Sequence, residues 1–151
     1  MKRDIYNEDH EDFRKSVRGF LERSVIPNID QYIEDHAFPR ELWLEAGAQG
    51  LLGLQLPEEF GGAGVDDYRF TAVVGEEFSA VNAALHSCWG IHADTVAPYL
   101  VALLTDTQRK RWLPGVVSGE IWCAIGMRAV AEARGVAERV VALAPGQSTT
   151  V

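Results

Sequence analysis

The sequence is short of cysteine, of basic residues and of long apolar runs, and each shortage excludes a class of protein. Its 151 residues include two cysteines, Cys88 and Cys123, and no Cys-x-x-Cys pair, which excludes a disulfide scaffold, a zinc ribbon and a thioredoxin-like redox site. A formal net charge of −8 argues against nucleic-acid binding and against a basic membrane-surface helix. No run of about 18 apolar residues is present to span a membrane, and the charged start after Met1 predicts no signal peptide. These shortages predict a cytoplasmic protein.

The composition, 47% apolar and 24% charged, is that of one globular domain with a core. Apolar residues recur at helical spacing along most of the chain. A first helix is predicted after the capping residue Asn7, and Pro27 is expected to kink or break it. A second, short helix is predicted from Pro39, and Gly47 or Gly50 is expected to end it.

The middle of the sequence predicts two longer helices. The third helix begins at Asp66 or Asp67, where an acidic residue suits the positive end of the helix dipole. Asn82 caps a fourth helix that runs to about Leu104 and bends at Pro98. Because this fourth helix is apolar on most faces, it is predicted to be buried at the centre of the fold.

A fifth helix and one strand complete the periodic part of the chain. Thr105 and Gln108 have the spacing of a capping box, and Pro114 is expected to end the helix that they open. The run Ile121–Met127 is apolar at successive positions and follows a glycine, which predicts a strand buried on both faces. Residues 128–151 differ from the rest, since they contain no aromatic residue and 11 of the 24 are alanine or valine.

A search for catalytic and metal-binding patterns gives no strong candidate. The four histidines lack metal-ligand spacing, so they are interpreted as hydrogen-bonded helix residues rather than ligands, and no metal site is predicted. Glu76 and Glu77 could form an acid–base pair, but a solvated helix face is the favoured interpretation. Cys123 is interpreted as a small buried apolar residue.

Several segments together resemble the N-terminal part of an acyl-CoA dehydrogenase. The similarity extends over about residues 5–127, in the family's order and spacing. The Pro-Glu-Glu-Phe-Gly-Gly block at 57–62 is its most specific element. The segments that carry the similarity are 25–27 (Val-Ile-Pro), 38–43 (Phe-Pro-Arg-Glu-Leu-Trp), 50–53 (Gly-Leu-Leu-Gly), 56–64 (Leu-Pro-Glu-Glu-Phe-Gly-Gly-Ala-Gly), 76–78 (Glu-Glu-Phe), 108–114 (Gln-Arg-Lys-Arg-Trp-Leu-Pro) and 118–120 (Ser-Gly-Glu).

The resemblance implies a mainly α fold. Residues 1–120 would be the five-to-six-helix N-terminal domain of the family, and residues 121–127 the first strand of a middle β-domain that is otherwise missing. Residues 128–151 would be a divergent tail, a weak helix followed by disorder. The family uses FAD to desaturate an acyl-CoA thioester: a glutamate takes the α-proton and the flavin takes the β-hydrogen as hydride, because no side chain accepts a hydride. Full-length members are usually homo-oligomers.

The resemblance implies few site residues within this chain. Ile125 and Met127 match positions whose backbone faces the flavin ring, and His86 and Gly90 match positions toward the bottom of the acyl pocket. Ordinary helix packing is an equal alternative for Gly90 and the favoured one for His86. No catalytic residue is assigned, because the family's catalytic glutamate lies in a region that this sequence does not contain.

The resemblance stops at Arg128, where the family has a Thr-Glu-Pro-Gly-x-Gly-Ser-Asp flavin loop. A frameshift or truncation would explain why motif and composition change together, and divergence into a stand-alone module is the alternative. Two functions therefore stay open. The chain is an acyl-CoA dehydrogenase by descent, inactive alone and doubtful in FAD binding, or a non-catalytic helical binding or partner module.

Overall fold

The computed structural model describes residues 5–126, and the predictions for Met127 and for residues 128–151 lie outside this range. Within it the chain forms five continuous helical runs, as expected for a mainly α domain. The first run opens with α1 (Glu8–Phe20) and passes through a π-helical turn (Leu21–Val25) and a 3-10 turn (Ile26–Asn28) into α2 (Ile29–Glu34). The prediction that Pro27 kinks or breaks this helix is confirmed in part, since the proline lies in a 3-10 turn that interrupts the α-helix without ending the helical run.

Local capping places the next helices as the sequence predicts. α3 (Arg40–Ala48) follows Pro39, and Gly50, with φ of 75°, follows its end. A 3-10 turn (Glu58–Phe60) precedes α4 (Tyr68–Val81), whose N-terminus is capped by Asp67. The Asn82 side chain then accepts hydrogen bonds from the first turn of the next run, because its carboxamide reaches two otherwise unpaired N–H groups.

The fourth run is one bent helix made of α5 (Ala83–Trp89), a π-helical segment (Gly90–Val96) and α6 (Ala97–Leu103). Its π-helical segment lies directly before Pro98, which removes one N–H donor from the ladder. The prediction that this run is buried on all sides is wrong. Ile91, Tyr99 and Leu103 are 39%, 53% and 62% exposed, so the run has one buried and one exposed apolar face.

The last run, α7 (Asp106–Ser118), begins with the predicted capping box of Thr105 and Gln108. The prediction that Pro114 ends it is wrong, because the helix continues for another turn until Gly119 adopts a left-handed φ of 79°. Pro114 is exposed, so water can bind the carbonyl that its missing N–H leaves free. A proline on the solvent-exposed face of a helix is tolerated, whereas a proline on the packed face would destabilise the helix.

Two clusters of buried side chains hold these helices together. The first core joins α1, the π-helical turn, α3, α4 and α5, and the second core joins α6, α7 and the turn at 57–60 to Cys123. The two meet where α3 crosses α7. There Gly47 leaves no room for a side chain, because a Cβ on it would lie 2.3 Å from the Ser118 carbonyl oxygen. Close helix contact is the reason for a glycine at this position, rather than helix termination.

The strand predicted over Ile121–Met127 does not form in its described part, residues 121–126. Trp122 is a single β-bridge residue, and the rest has no regular structure. A strand needs a neighbouring strand for its N–H and C=O groups, and these residues instead bond to the helices around them. The Ile121 N–H donates to the Gly115 carbonyl, and the Cys123 N–H donates to His92. No helix in residues 5–126 is long and apolar enough to cross a membrane.

Candidate functional site: an apolar groove

A groove of about 420 Å³ opens between the fourth helical run, α3 and residues 122–124. This volume lies within the usual range for sites that bind small molecules. Among the residues that the structure describes, its walls carry no charged side chain. The lining residues are Ala37, Phe38, Trp43, Cys88, Ile91, His92, Trp122, Cys123 and Ala124.

His92 is the one imidazole in this wall, and both of its ring nitrogens are engaged. Nε2 lies 3.0 Å from the Val116 carbonyl oxygen, and Nδ1 lies 3.1 Å from the Cys123 backbone nitrogen. Since a carbonyl can only accept and an N–H can only donate, the ring is neutral with its proton on Nε2. Burial lowers the pKa of His92, although the bond to Val116 opposes this effect. The interpretation of this histidine as a hydrogen-bonded helix residue is confirmed.

Aromatic rings form the floor of the groove. Trp43, from α3, has its ring centroid 5.7 Å from those of both His92 and Trp122. The Trp122 indole N–H donates to the Gly119 carbonyl, 3.1 Å away, so its polar atom is satisfied. The described surface is therefore apolar and short of free hydrogen-bonding groups, which suits an alkyl chain or an apolar ring.

The two cysteine thiols of the chain both line this groove. Burial raises the pKa of Cys88 and raises that of Cys123 to about 11, so both thiols are neutral at neutral pH. A neutral thiol is a poor nucleophile and a poor metal ligand. The interpretation of Cys123 as a small buried apolar residue is confirmed.

Three of the residues predicted from the sequence to contact acyl chain or flavin, His86, Gly90 and Ile125, are not among the described residues that line the groove. His86 is half-buried against α4, where a Cβ on Gly75 would lie 3.1 Å from its ring, and its Nδ1 has no hydrogen-bond partner. Gly90 faces open space, with no atom within 4 Å of a Cβ placed on it. Ile125 packs against the second core, and Met127 lies outside the described residues. Their assigned roles stay predictions.

Glu76 and Glu77 belong to an ion-pair cluster between α1 and α4, not to a solvated face. Glu77 is only 8% exposed and accepts bonds of 2.6 Å from both Arg14 and Arg18, while Glu76 lies 3.0 Å from Arg14. Burial would raise the pKa of Glu77, but the two guanidinium groups outweigh it and hold that pKa below its usual value. A carboxylate kept ionised in this way is a poor acid catalyst, so the acid–base alternative is not supported.

Sequence reasoning missed the groove because its walls come from distant parts of the chain. The signal for the ion-pair cluster was available: Arg14 and Arg18 are four residues apart on one helix face, opposite the acidic pair. A weaker signal was available for His92, a polar residue within an otherwise apolar helix. In residues 5–126 no group of three or more His, Cys, Asp or Glu is arranged to hold a metal ion.

Comparison with known proteins agrees with this architecture. The family model for the acyl-CoA dehydrogenase N-terminal domain matches residues 7–120. The long-chain specific acyl-CoA dehydrogenase of Sus scrofa mitochondria is 37% identical over 129 residues, and the isovaleryl-CoA dehydrogenase of Bos taurus mitochondria is 30% identical over 123 residues. These alignments cover 83% and 80% of this chain and 29% of each relative.

Solved structures give the same result. The acyl-CoA dehydrogenase of Geobacillus kaustophilus matches 80% of this chain and 31% of its own with a TM-score of 0.75 and 31% identity. The acyl-CoA dehydrogenase of Bacillus anthracis, solved in complex with FAD, matches 81% of this chain and 21% of its own with a TM-score of 0.69 and 30% identity. The chain therefore belongs to the acyl-CoA dehydrogenase family, and it spans less than a third of the length of these relatives.

Proposed function

We propose that this chain supplies the helical wall of an acyl-CoA dehydrogenase site and that the groove holds the acyl chain of the thioester. The observation that carries the proposal is the groove itself: an apolar wall of suitable size in a chain of this family. An alkyl chain gains from leaving water, at about 0.8 kcal/mol per buried CH₂. It requires no hydrogen-bonding partner from the wall.

The described lining of the groove does not fit FAD as its holder. A flavin dinucleotide needs donors for its pyrophosphate, and the one imidazole in the groove uses both nitrogens within the protein. FAD would supply hydride acceptance in the whole enzyme, and this chain supplies the apolar wall. We therefore propose that the chain alone has no dehydrogenase turnover, and that backbone contact of Ile125 and Met127 with flavin requires further protein segments.

Calorimetric titration of the 151-residue chain with octanoyl-CoA tests the acyl-chain proposal. We expect Ala124→Trp, which fills the groove, to abolish the binding heat. Ala102→Trp, on an exposed position of α6, is the matched control and should leave it unchanged. A wild-type chain that binds no octanoyl-CoA, or an Ala124→Trp chain that binds it normally, would contradict the proposal.

The same titration separates the groove from the sequence-based assignment of His86 and Gly90. Gly90→Leu adds a side chain in open space beside Ile91. If Gly90 lies at the bottom of the acyl pocket, this variant weakens octanoyl-CoA binding and Ala124→Trp does not. The groove proposal expects the reverse.

A non-catalytic binding module is the second candidate. It is favoured by the two cores, whose described members join the helices of residues 5–126 to one another. A chain that folds cooperatively but binds neither octanoyl-CoA nor FAD would favour this candidate. Cytoplasmic location and homo-oligomeric assembly also stay proposals from the sequence.

A further inference from the structure

We propose that His92 is a positioning residue: its neutral ring fixes residues 121–126 against the helices and so shapes the groove wall that they form. The proposal rests on the proposed function only in treating this wall as part of an acyl site. The claim about His92 itself concerns the position of a backbone segment, which can be measured without any ligand.

The His92 ring lies at the junction of three parts of the chain. His92, 1% exposed, lies in the π-helical segment of the fourth run and bonds to two other parts of the chain. Its Nε2–H donates to the Val116 carbonyl in the last turn of α7, where carbonyl groups lack a normal helical partner. Its Nδ1 accepts from the Cys123 N–H. One side chain thus joins a helix end to the segment that lines the groove.

Several hydrogen bonds hold residues 121–126 in place, and the bond between His92 and Cys123 acts most directly on the groove wall. The Ile121 N–H bonds to Gly115 at 2.9 Å, and the Glu120 carbonyl accepts from Arg40 at 3.2 Å on the exposed surface. Both lie before the groove, and the bond from the Trp122 indole to Gly119 holds a side chain of the wall rather than its backbone. Cys123 lies within the wall, so its bond to His92 acts on the residues that a ligand would touch. A buried hydrogen bond in an apolar site also costs more to break than an exposed one.

Only the neutral His92 ring can bond to both the Val116 carbonyl and the Cys123 amide. Protonation would place a second N–H on Nδ1, directly against the donor of Cys123. The groups that pack on the ring are the Trp43 indole, the Val116 carbonyl and the Cys123 amide. The titratable side chains that share the groove, Cys88 and Cys123, are uncharged thiols. None of these would stabilise an imidazolium except the Val116 carbonyl, which is already bonded.

Two conservative substitutions each retain one of the two hydrogen bonds of His92. In His92→Asn the amide oxygen can occupy the Nδ1 position and accept from Cys123, whereas in His92→Gln the amide nitrogen can occupy the Nε2 position and donate to Val116. His92→Leu makes neither bond. Trp122→Phe is the matched control, because it removes a hydrogen bond within the same segment without touching His92.

The experiment is residue-resolved amide hydrogen exchange on the full chain at about pH 7.5, where His92 is neutral. We expect the protection factor of the Cys123 amide to fall about tenfold in His92→Gln and His92→Leu, and to stay near the wild-type value in His92→Asn and Trp122→Phe. Wild-type protection in a folded His92→Gln chain, or equal losses in His92→Asn and His92→Gln, would overturn the proposal.

A second measurement requires no variant. Long-range proton–nitrogen NMR spectra of the wild-type imidazole distinguish the two neutral tautomers. A protonated Nε2 and a bare Nδ1 are expected for His92, and a proton on Nδ1 would overturn the proposal even if His92→Leu fails to fold. Failure of octanoyl-CoA binding, by contrast, would contradict the proposed function and leave these exchange and tautomer results unaffected.

Discussion

The first and second cores use polar groups in different ways. At the edge of the first core, α1 and α4 are joined by full charges, with Arg18 more than half exposed and Glu77 nearly buried between two guanidinium groups. In the second core, three chain segments are joined by the uncharged ring of His92. The comparison shows that charged groups are used where water can still solvate some members of the cluster, here Arg18 and Glu76, and that a neutral histidine joins the segments where it cannot.

The largest expected effect comes from separating the two cores. Gly47→Ala places a methyl group against the backbone of Ser118, which cannot move without shifting α7, so we expect it to lower the free energy of unfolding by about 3 kcal/mol. Gly90→Ala is the matched control in open space, and it should be neutral or stabilise by about 0.5 kcal/mol. Urea unfolding of both variants checks this pair, and equal stabilities would contradict the close contact between α3 and α7.

The next effect is confined to the first core. Glu77→Gln leaves Arg14, a buried cation, short of its strongest partner, and we expect a loss of about 2 kcal/mol in unfolding free energy, less than for a fully buried pair because Arg18 is solvated. Lys15→Met removes an exposed pair with Asp12 on the same helix and should change stability by less than about 0.5 kcal/mol. If the two variants lose the same amount, the ion-pair cluster does not join α1 to α4.

The smallest effect is a difference in pH dependence between the two cores. The folded pKa of His92 lies below its unfolded value of 6.5, so the unfolded chain binds more protons and stability falls as pH drops below 6.5. The folded pKa of Glu77 is also lowered, from 4.5, so its contribution is present above that pH and is lost at lower pH.

Unfolding measured across this pH range should therefore show two separate losses of stability. His92→Asn should remove the loss that begins below pH 6.5, and Glu77→Gln should reduce the one that begins below pH 4.5. A His92→Asn chain with the wild-type slope between these values would contradict burial of a neutral ring.

The features that the sequence predicts correctly are local. The caps at Asn7, Asn82 and Thr105 involve groups within three residues of one another, so no knowledge of packing is needed. The helix through Pro114 was missed because the outcome depends on which side of α7 faces water. The strand predicted over Ile121–Met127 does not form in residues 121–126, and the sequence could not show this, because an apolar run does not say whether a neighbouring strand or a set of helices will pack against it.

The candidate site was less accessible to sequence reasoning than the fold. The family resemblance indicates an acyl-CoA site. The groove, however, is built from α3, the fourth helical run and residues 122–124, which lie far apart in the sequence. His86 and Gly90 were assigned from the family resemblance, by alignment through Pro98. Neither is among the described residues that line the groove, and their roles stay predictions.

The most direct test of the account is the absorption spectrum of the purified 151-residue chain after incubation with FAD and removal of free flavin. We assign an apolar acyl wall to this chain and find no flavin-holding groups in the described lining of its groove. We therefore expect a colourless protein, with no spectral change when octanoyl-CoA is added. A yellow protein with stoichiometric flavin that bleaches on adding octanoyl-CoA would contradict it.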